Sequence, residues 1–194
     1  FRTSERTTLN FIYPKVSSLK SDRETQAVEG VKRFLADFEQ AIFRDDGSFR
    51  SMLEENSAID TYLLQELSNN MDGFRRSIFL YGETNASGSD GRVAFGPLWD
   101  FDIAFGNIAV NQSKEIDDWR INYEGYLASQ TEALTWFGFM IRDRGFSKAI
   151  SDRWWELRAG PLGWKEIEAL IDGFASELQG GGQQRNFQKW KLFG

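Results

Sequence analysis

The sequence predicts a mostly helical α+β fold, on three observations. Apolar residues recur at helical spacing on either side of the middle of the chain, and two short apolar runs in the middle flank a turn-rich segment. The 194 residues carry 41% hydrophobic content, enough for a single domain with a real core.

The elements follow in order. Residues 9–13, before Pro14, form an apolar run that reads as a strand needing partners from upstream. Ser21 with Glu24 three positions on makes a capping box, and Ala27, Val28, Val31, Phe34, Leu35, Phe38 and Ile42 then repeat at helical spacing. Asp45-Asp46-Gly47 closes that helix, and a short segment around Phe49, Met52 and Leu53 follows. Ser57 with Asp60 predicts the cap of a second helix through Tyr62, Leu63, Leu64 and Leu67, which leads into Ser68-Asn69-Asn70-Met71-Asp72-Gly73.

Residues 74–81 and 92–99 read as two extended runs, joined by the turn-rich segment 82–91 into a β-hairpin. Residues 106–130 are polar and irregular and predict a long ordered loop with Trp119, Tyr123 and Tyr126 as anchors. Helices are expected over 132–142, 147–158 and 163–178, with Gly180-Gly181-Gly182 as a hinge before a last turn around Phe187 and Trp190. Trp154 and Trp155 read as core aromatics.

Composition removes whole chemistries. Without histidine there is no imidazole acid or base, no Ser-His-Asp triad and no histidine metal ligand. Without cysteine there is no thiol nucleophile, no thiolate zinc site and no disulfide. Carboxylates, Lys, Arg, Tyr, Ser and Thr remain for catalysis, and hard oxygen-seeking cations such as Mg²⁺, Mn²⁺ or Ca²⁺ remain as metals. The net charge of −6 and the lack of a long basic run argue against nucleic acid as a partner. Apolar runs of only a few residues fall short of the roughly 20 that a membrane span needs. Absence of cysteine fits a reduced compartment and bacterial export equally.

The most chemical stretch is 92–107, which sets Asp100 and Asp102 at the end of an apolar run. On a strand an Asp-x-Asp pair turns both carboxylates to one face, with Phe101 on the other. Two close carboxylates repel unless a cation lies between them. A helix ending in Asn70-Met71-Asp72, then a hairpin, then Asp-x-Asp reproduces the order of parts in a protein-kinase C-lobe. There a carboxylate after a helix orients or accepts the proton of the attacking hydroxyl, and an acid after the hairpin holds the ion that bridges the ATP phosphates. Asp72 suits the first role and Asp100 the second; counting five from Asp72 reaches Ser77.

At these residues the chain resembles the CotH kinase family, the spore-coat-protein-H-like atypical bacterial kinases. Tyr-Leu-Leu-Gln-Glu-Leu-Ser-Asn-Asn-Met-Asp-Gly-Phe-Arg-Arg-Ser over 62–77 is similar to the family's helix and catalytic segment. Gly-Pro-Leu-Trp-Asp-Phe-Asp-Ile-Ala-Phe-Gly-Asn over 96–107 is similar to its metal segment, and the likeness continues more weakly through 153–158 and 185–190. The resemblance implies an atypical protein-kinase-like C-lobe whose β-hairpin carries the metal-binding segment, ATP with a divalent cation, and phosphorylation of protein Ser or Thr hydroxyls. It implies Asp72 as the catalytic residue, Asp100 and Asp102 as metal ligands, and Asn70, Ser77 and Arg75 at the nucleotide. Many relatives carry Asn where Ser77 stands, and a hydroxyl is a shorter, weaker ligand than an amide carbonyl. The resemblance further implies that residues 1–194 are the C-terminal part of the domain. The phosphate-gripping lysine would then lie before Phe1, and this piece alone would be inactive. A bacterial secreted or cell-surface setting, with the spore coat as one case, comes with the family.

Other readings of the same residues stay open. A non-catalytic surface or scaffold protein could keep the shape to bind a partner or a glycan, with Trp119, Tyr123 and Tyr126 as a sugar platform. A carboxylate-pair glycosidase would place Asp72 and Asp100 or Asp102 about 5–10 Å apart across an open groove. Asn70 either braces the Asp72 loop or simply ends the helix. Arg75 and Arg76 could meet phosphate or a substrate acid and, alternating on a strand, at most one of them faces the site. Glu66 reads as a solvated helix residue, and Gly106 permits the turn after the metal segment.

Overall fold

A computed structural model describes residues 1–3, 7–74, 76–82, 91–107, 119–121 and 136–190. Helices α1 (Asp22–Phe43), α2 (Glu55–Leu67), α3 (Trp136–Met140), α4 (Arg144–Arg158), α5 (Trp164–Glu177) and α6 (Gln183–Lys189) dominate, beside a sheet of β1 (Leu80–Tyr81) and β2 (Ala94–Phe95). The strands pair antiparallel, Leu80 opposite Phe95 and Tyr81 opposite Ala94. The architecture is thus mostly helical with one small antiparallel sheet, consistent with α+β. The chain separates into two compact units, residues 1–150 and 151–194.

In the first unit α1 starts where the capping box predicts: Glu24 N–H donates to Ser21 Oγ at 3.3 Å and Ser21 N–H to Glu24 Oε2 at 3.0 Å. Its apolar stripe buries Val28, Phe34, Leu35, Phe38 and Ile42. Trp136 of α3 packs edge-on to Phe38 at 5.3 Å and donates its indole N–H to the buried Glu39 at 2.9 Å, so the one polar group on that face has a partner. Phe137, the next residue, meets Phe95 at 4.9 Å, Phe74 at 5.3 Å and Tyr62 at 6.0 Å. One ring therefore touches β2, the segment after α2, and α2 itself.

Several sequence expectations need correction. Residues 9–13 form no strand; Phe1 N–H donates to Leu9 O, and the one bridge nearby pairs Arg2 with Thr8. Helix α2 starts two residues before Ser57, with Glu54 at its N-cap and no side-chain cap. Ser57 instead donates to Glu54 O at 2.7 Å and accepts the Phe95 N–H at 3.1 Å, which ties the hairpin to the helix. The extended runs shrink to two residues each because competing pairings take their ends. Val93 bonds to Met52 O and Glu54 N–H, Ser77 adopts φ 53°, and Gly96 takes φ 132°. The segment 83–90 between the strands lies outside the described residues.

The second unit, entered through α4, departs most from expectation. The helices lie where the periodicity puts them, and Gly180 and Gly181 leave helical geometry at the expected hinge. Yet α5 and α6 bury no residue, Trp155 is exposed and Trp154 only half-buried, so the expected aromatic core is not formed there. A 44-residue unit of three helical segments encloses too little volume to cover both faces of each helix.

Truncating the hub and an exposed ring should therefore give opposite results in urea unfolding. Phe137→Ala should cost about 3–5 kcal/mol, whereas Phe174→Ala, whose ring is 62% exposed, should stay within about 0.5 kcal/mol of the parent.

Candidate functional site

The site forms where α2 ends. Ser68 closes the helix, its hydroxyl donating back to Leu64 O at 2.7 Å, and Asn69 turns the chain through φ 46°. This left-handed conformation is tolerated best by Asn, Asp and Gly. Asn70 then lies fully buried, 0% exposed. Its Oδ1 accepts the Asp72 N–H at 3.2 Å and its Nδ2 donates to Asp100 O at 3.4 Å. Of the two readings of Asn70, the brace is the one realised: a single amide joins the loop after the helix to the segment after the hairpin.

Asp100 itself has φ 66°, so the strand ends well before it, and the alternation that would turn Asp100 and Asp102 to one face does not operate. Asp100 is exposed and receives the Ser77 hydroxyl on Oδ2 at 3.1 Å, which brings together two residues 23 positions apart. Asp102 is also exposed, and its backbone carbonyl accepts Asn107 Nδ2 at 2.7 Å within a turn that Gly106 continues at φ 75°. Phe105 N–H donates to Ser68 O at 2.7 Å, which docks this turn against the end of α2. Among the described residues, four of the five non-glycine residues with positive φ, Asn69, Ser77, Asp100 and Phe105, belong to these two segments. Such conformations cost of order 1–3 kcal/mol each and persist only where surrounding bonds over-determine them. Asp72 is half-buried, and Arg75 lies outside the described residues.

Gly73 shows how tightly the loop is packed. A Cβ there would sit 2.5 Å from the buried Gln65 Oε1 and 3.0 Å from Asn70 O, so the position admits only glycine without displacement.

Glu66 was expected in solvent and is not. It accepts Arg120 N–H on Oε2 at 2.6 Å and Ile121 N–H on Oε1 at 2.9 Å. Burial raises its carboxyl above the usual range, opposed by those two backbone bonds, by the Tyr62 hydroxyl and by the Arg120 charge. The Tyr62 phenol is pushed up in turn, chiefly by burial and then by the Glu66 charge. Arg120 carries its guanidinium to the same place: Nε donates to Asn70 O and Nη2 to Met71 O, both at 3.0 Å. Sequence reasoning missed this partnership because it spans 54 positions and Arg120 sits in none of the motifs singled out. Trp119 is exposed at 61%, and Tyr123 and Tyr126 of the suggested sugar platform lie outside the described residues.

The donors brought together are oxygens: the Asp100 carboxylate and the Ser77 hydroxyl. No group of three acidic side chains converges as a complete metal cage among the described residues. Such a partial set fits Mg²⁺, which commonly takes one or two carboxylates and fills its remaining positions with phosphate oxygens and water. Among the described residues no helix is long and apolar enough to cross a membrane.

A family model described as CotH kinase protein matches residues 8–194, essentially the whole chain. No curated protein and no solved structure matches. The family resemblance carried by 62–77 and 96–107 is borne out at that level.

The Glu66 shift fixes the sign of a pH effect. A carboxyl whose folded pKa lies above its unfolded value stabilises the fold fully below the ordinary carboxylate range and loses that share as pH rises through the raised value. Glu66→Gln keeps the neutral shape at every pH. Its stability relative to the parent should therefore improve between pH 4 and pH 8 in paired thermal melts, and a decline would mean that the two amide bonds outweigh burial.

Proposed function

We propose that this chain, which belongs to the CotH kinase family, carries the catalytic-loop and metal segments of an atypical protein kinase that phosphorylates protein Ser or Thr hydroxyls from ATP. The observation that carries the reading is the Asn70 amide, which holds the Asp72 N–H with one atom and the Asp100 carbonyl with the other. Phosphoryl transfer needs these two acids in a fixed relation, one at the attacking hydroxyl and one at the ion on the phosphates.

In this reading Asp72 orients the substrate hydroxyl and takes its proton as the new O–P bond forms and the bond from the γ-phosphorus to the bridging oxygen breaks, leaving ADP. Asp100, with Ser77 beside it and Asp102 further along the turn, would hold the divalent cation. Mg²⁺, or in its place Mn²⁺ or Ca²⁺, would supply there the neutralisation of charge developing on the phosphate oxygens. Asn70 acts through backbone rather than at the nucleotide, and Arg75 is assigned to the phosphates by family likeness. A protein substrate and a secreted, cell-surface or spore-coat setting belong to the same proposal.

The second reading, a non-catalytic scaffold or glycan binder of kinase-like shape, draws on the exposed Trp99 and Trp119 beside this site. One pair of variants separates the two. In calorimetric titration with ATP and Mg²⁺, Asp100→Ala should weaken nucleotide binding by at least about tenfold while Asp72→Ala leaves it within about twofold. In a transfer assay on a protein that contains the whole kinase domain, Asp72→Ala should lose about 10²–10⁴-fold in rate. Absence of nucleotide binding both by this chain and by that protein would favour the scaffold.

A further inference from the structure

Arg120 is 1% exposed, although its chain neighbour Trp119 stands largely in solvent. A guanidinium is buried at a large desolvation cost and is retained where acceptors meet its donors. Here two of those acceptors are successive peptide carbonyls, Asn70 O and Met71 O, each at 3.0 Å, and they directly precede Asp72. Fixing two successive carbonyls fixes two peptide planes, and with them the direction in which the chain enters Asp72. The Asn70 side chain holds the Asp72 N–H from the other end of the same turn. The grip is itself anchored, because the backbone amides of Arg120 and Ile121 both donate to the Glu66 carboxylate on α2.

We infer that Arg120 is a positioning residue: docked on α2 through Glu66, it sets the orientation of Asp72 by gripping the Asn70 and Met71 carbonyls. It touches neither nucleotide nor substrate and acts through the loop backbone. Because it follows the Asp100 segment in the chain, placement of Asp72 depends on residues beyond the metal segment being docked. The role in catalysis rests on the kinase reading given above, whereas the grip on the loop does not.

Arg120→Lys tests it in the full chain. The charge is kept, but one ammonium on a flexible stem cannot reproduce the planar fork that reaches two carbonyls. Hydrogen exchange at the Asp72, Gly73 and Arg76 amides should accelerate at least about tenfold while the Phe38 and Ile42 amides of α1 stay unchanged, and unchanged exchange at the loop overturns the inference. In steady-state transfer, kcat should fall about 10- to 100-fold with the KM for ATP within about twofold, and an unchanged kcat would overturn the catalytic role. Transfer is measured in a protein that contains the whole kinase domain; if that protein transfers no phosphate, the kinase reading fails by itself and the exchange result alone decides whether Arg120 holds the loop. Should α1 lose protection as well, Glu66→Asp replaces the variant, since it shortens the anchor by one methylene with Arg120 intact and is read by the same outcomes.

Discussion

The structure turns on one buried carboxamide. Asn70 has no contact with water, so its side-chain donor and acceptor must both be met inside the protein. They are met by the Asp100 carbonyl and the Asp72 amide, two groups 28 residues apart, while its backbone carbonyl takes the Arg120 guanidinium. An apolar side chain of similar size could fill the space but could not choose partners. The need to satisfy this amide is what specifies the relation between the loop after α2 and the segment after the hairpin.

The amide can do this only because the elements that carry its partners are already held. Helix α2 supplies both the aromatic face that packs on Phe137 and the end from which the loop departs. The hairpin is fastened to the same helix at its other end, through Ser57 and the pairing of Leu53 with Val93. Core packing thus brings two short irregular segments within hydrogen-bonding range, and polar bonds then fix conformations that the backbone alone disfavours. The strained residues stand at the site and their cost is offset by the surrounding framework.

Much of this was legible in the sequence for definite physical reasons. The capping box and apolar stripe of α1 are local signals and appear where they were read. The family likeness was legible because 62–77 and 96–107 are contiguous. Features set by distant partners were not: Ser57 looked like a cap because its bond to Phe95 cannot be seen in the chain, and Glu66 looked solvated because its amide partners come from 120–121. The strand reading of Asp100 failed because alternation was extended past Gly96, where the ladder stops. In the C-terminal unit the helical periodicity was correct while burial was not, since an amphipathic pattern specifies a face to cover without supplying the cover.

The central claim is that the Asn70 bridge holds Asp72 and Asp100 as two halves of one phosphoryl-transfer site. A crystal structure of the chain with Mn²⁺ and a non-hydrolysable ATP analogue tests it most directly, because anomalous scattering locates the ion without assumption. The account predicts the ion on the Asp100 carboxylate beside Ser77, phosphate oxygens completing its shell, and the Asp72 carboxylate facing the terminal phosphorus with the Asn70 bonds intact. An ion bound elsewhere, or Asp72 turned away from the phosphates while those bonds persist, would contradict it.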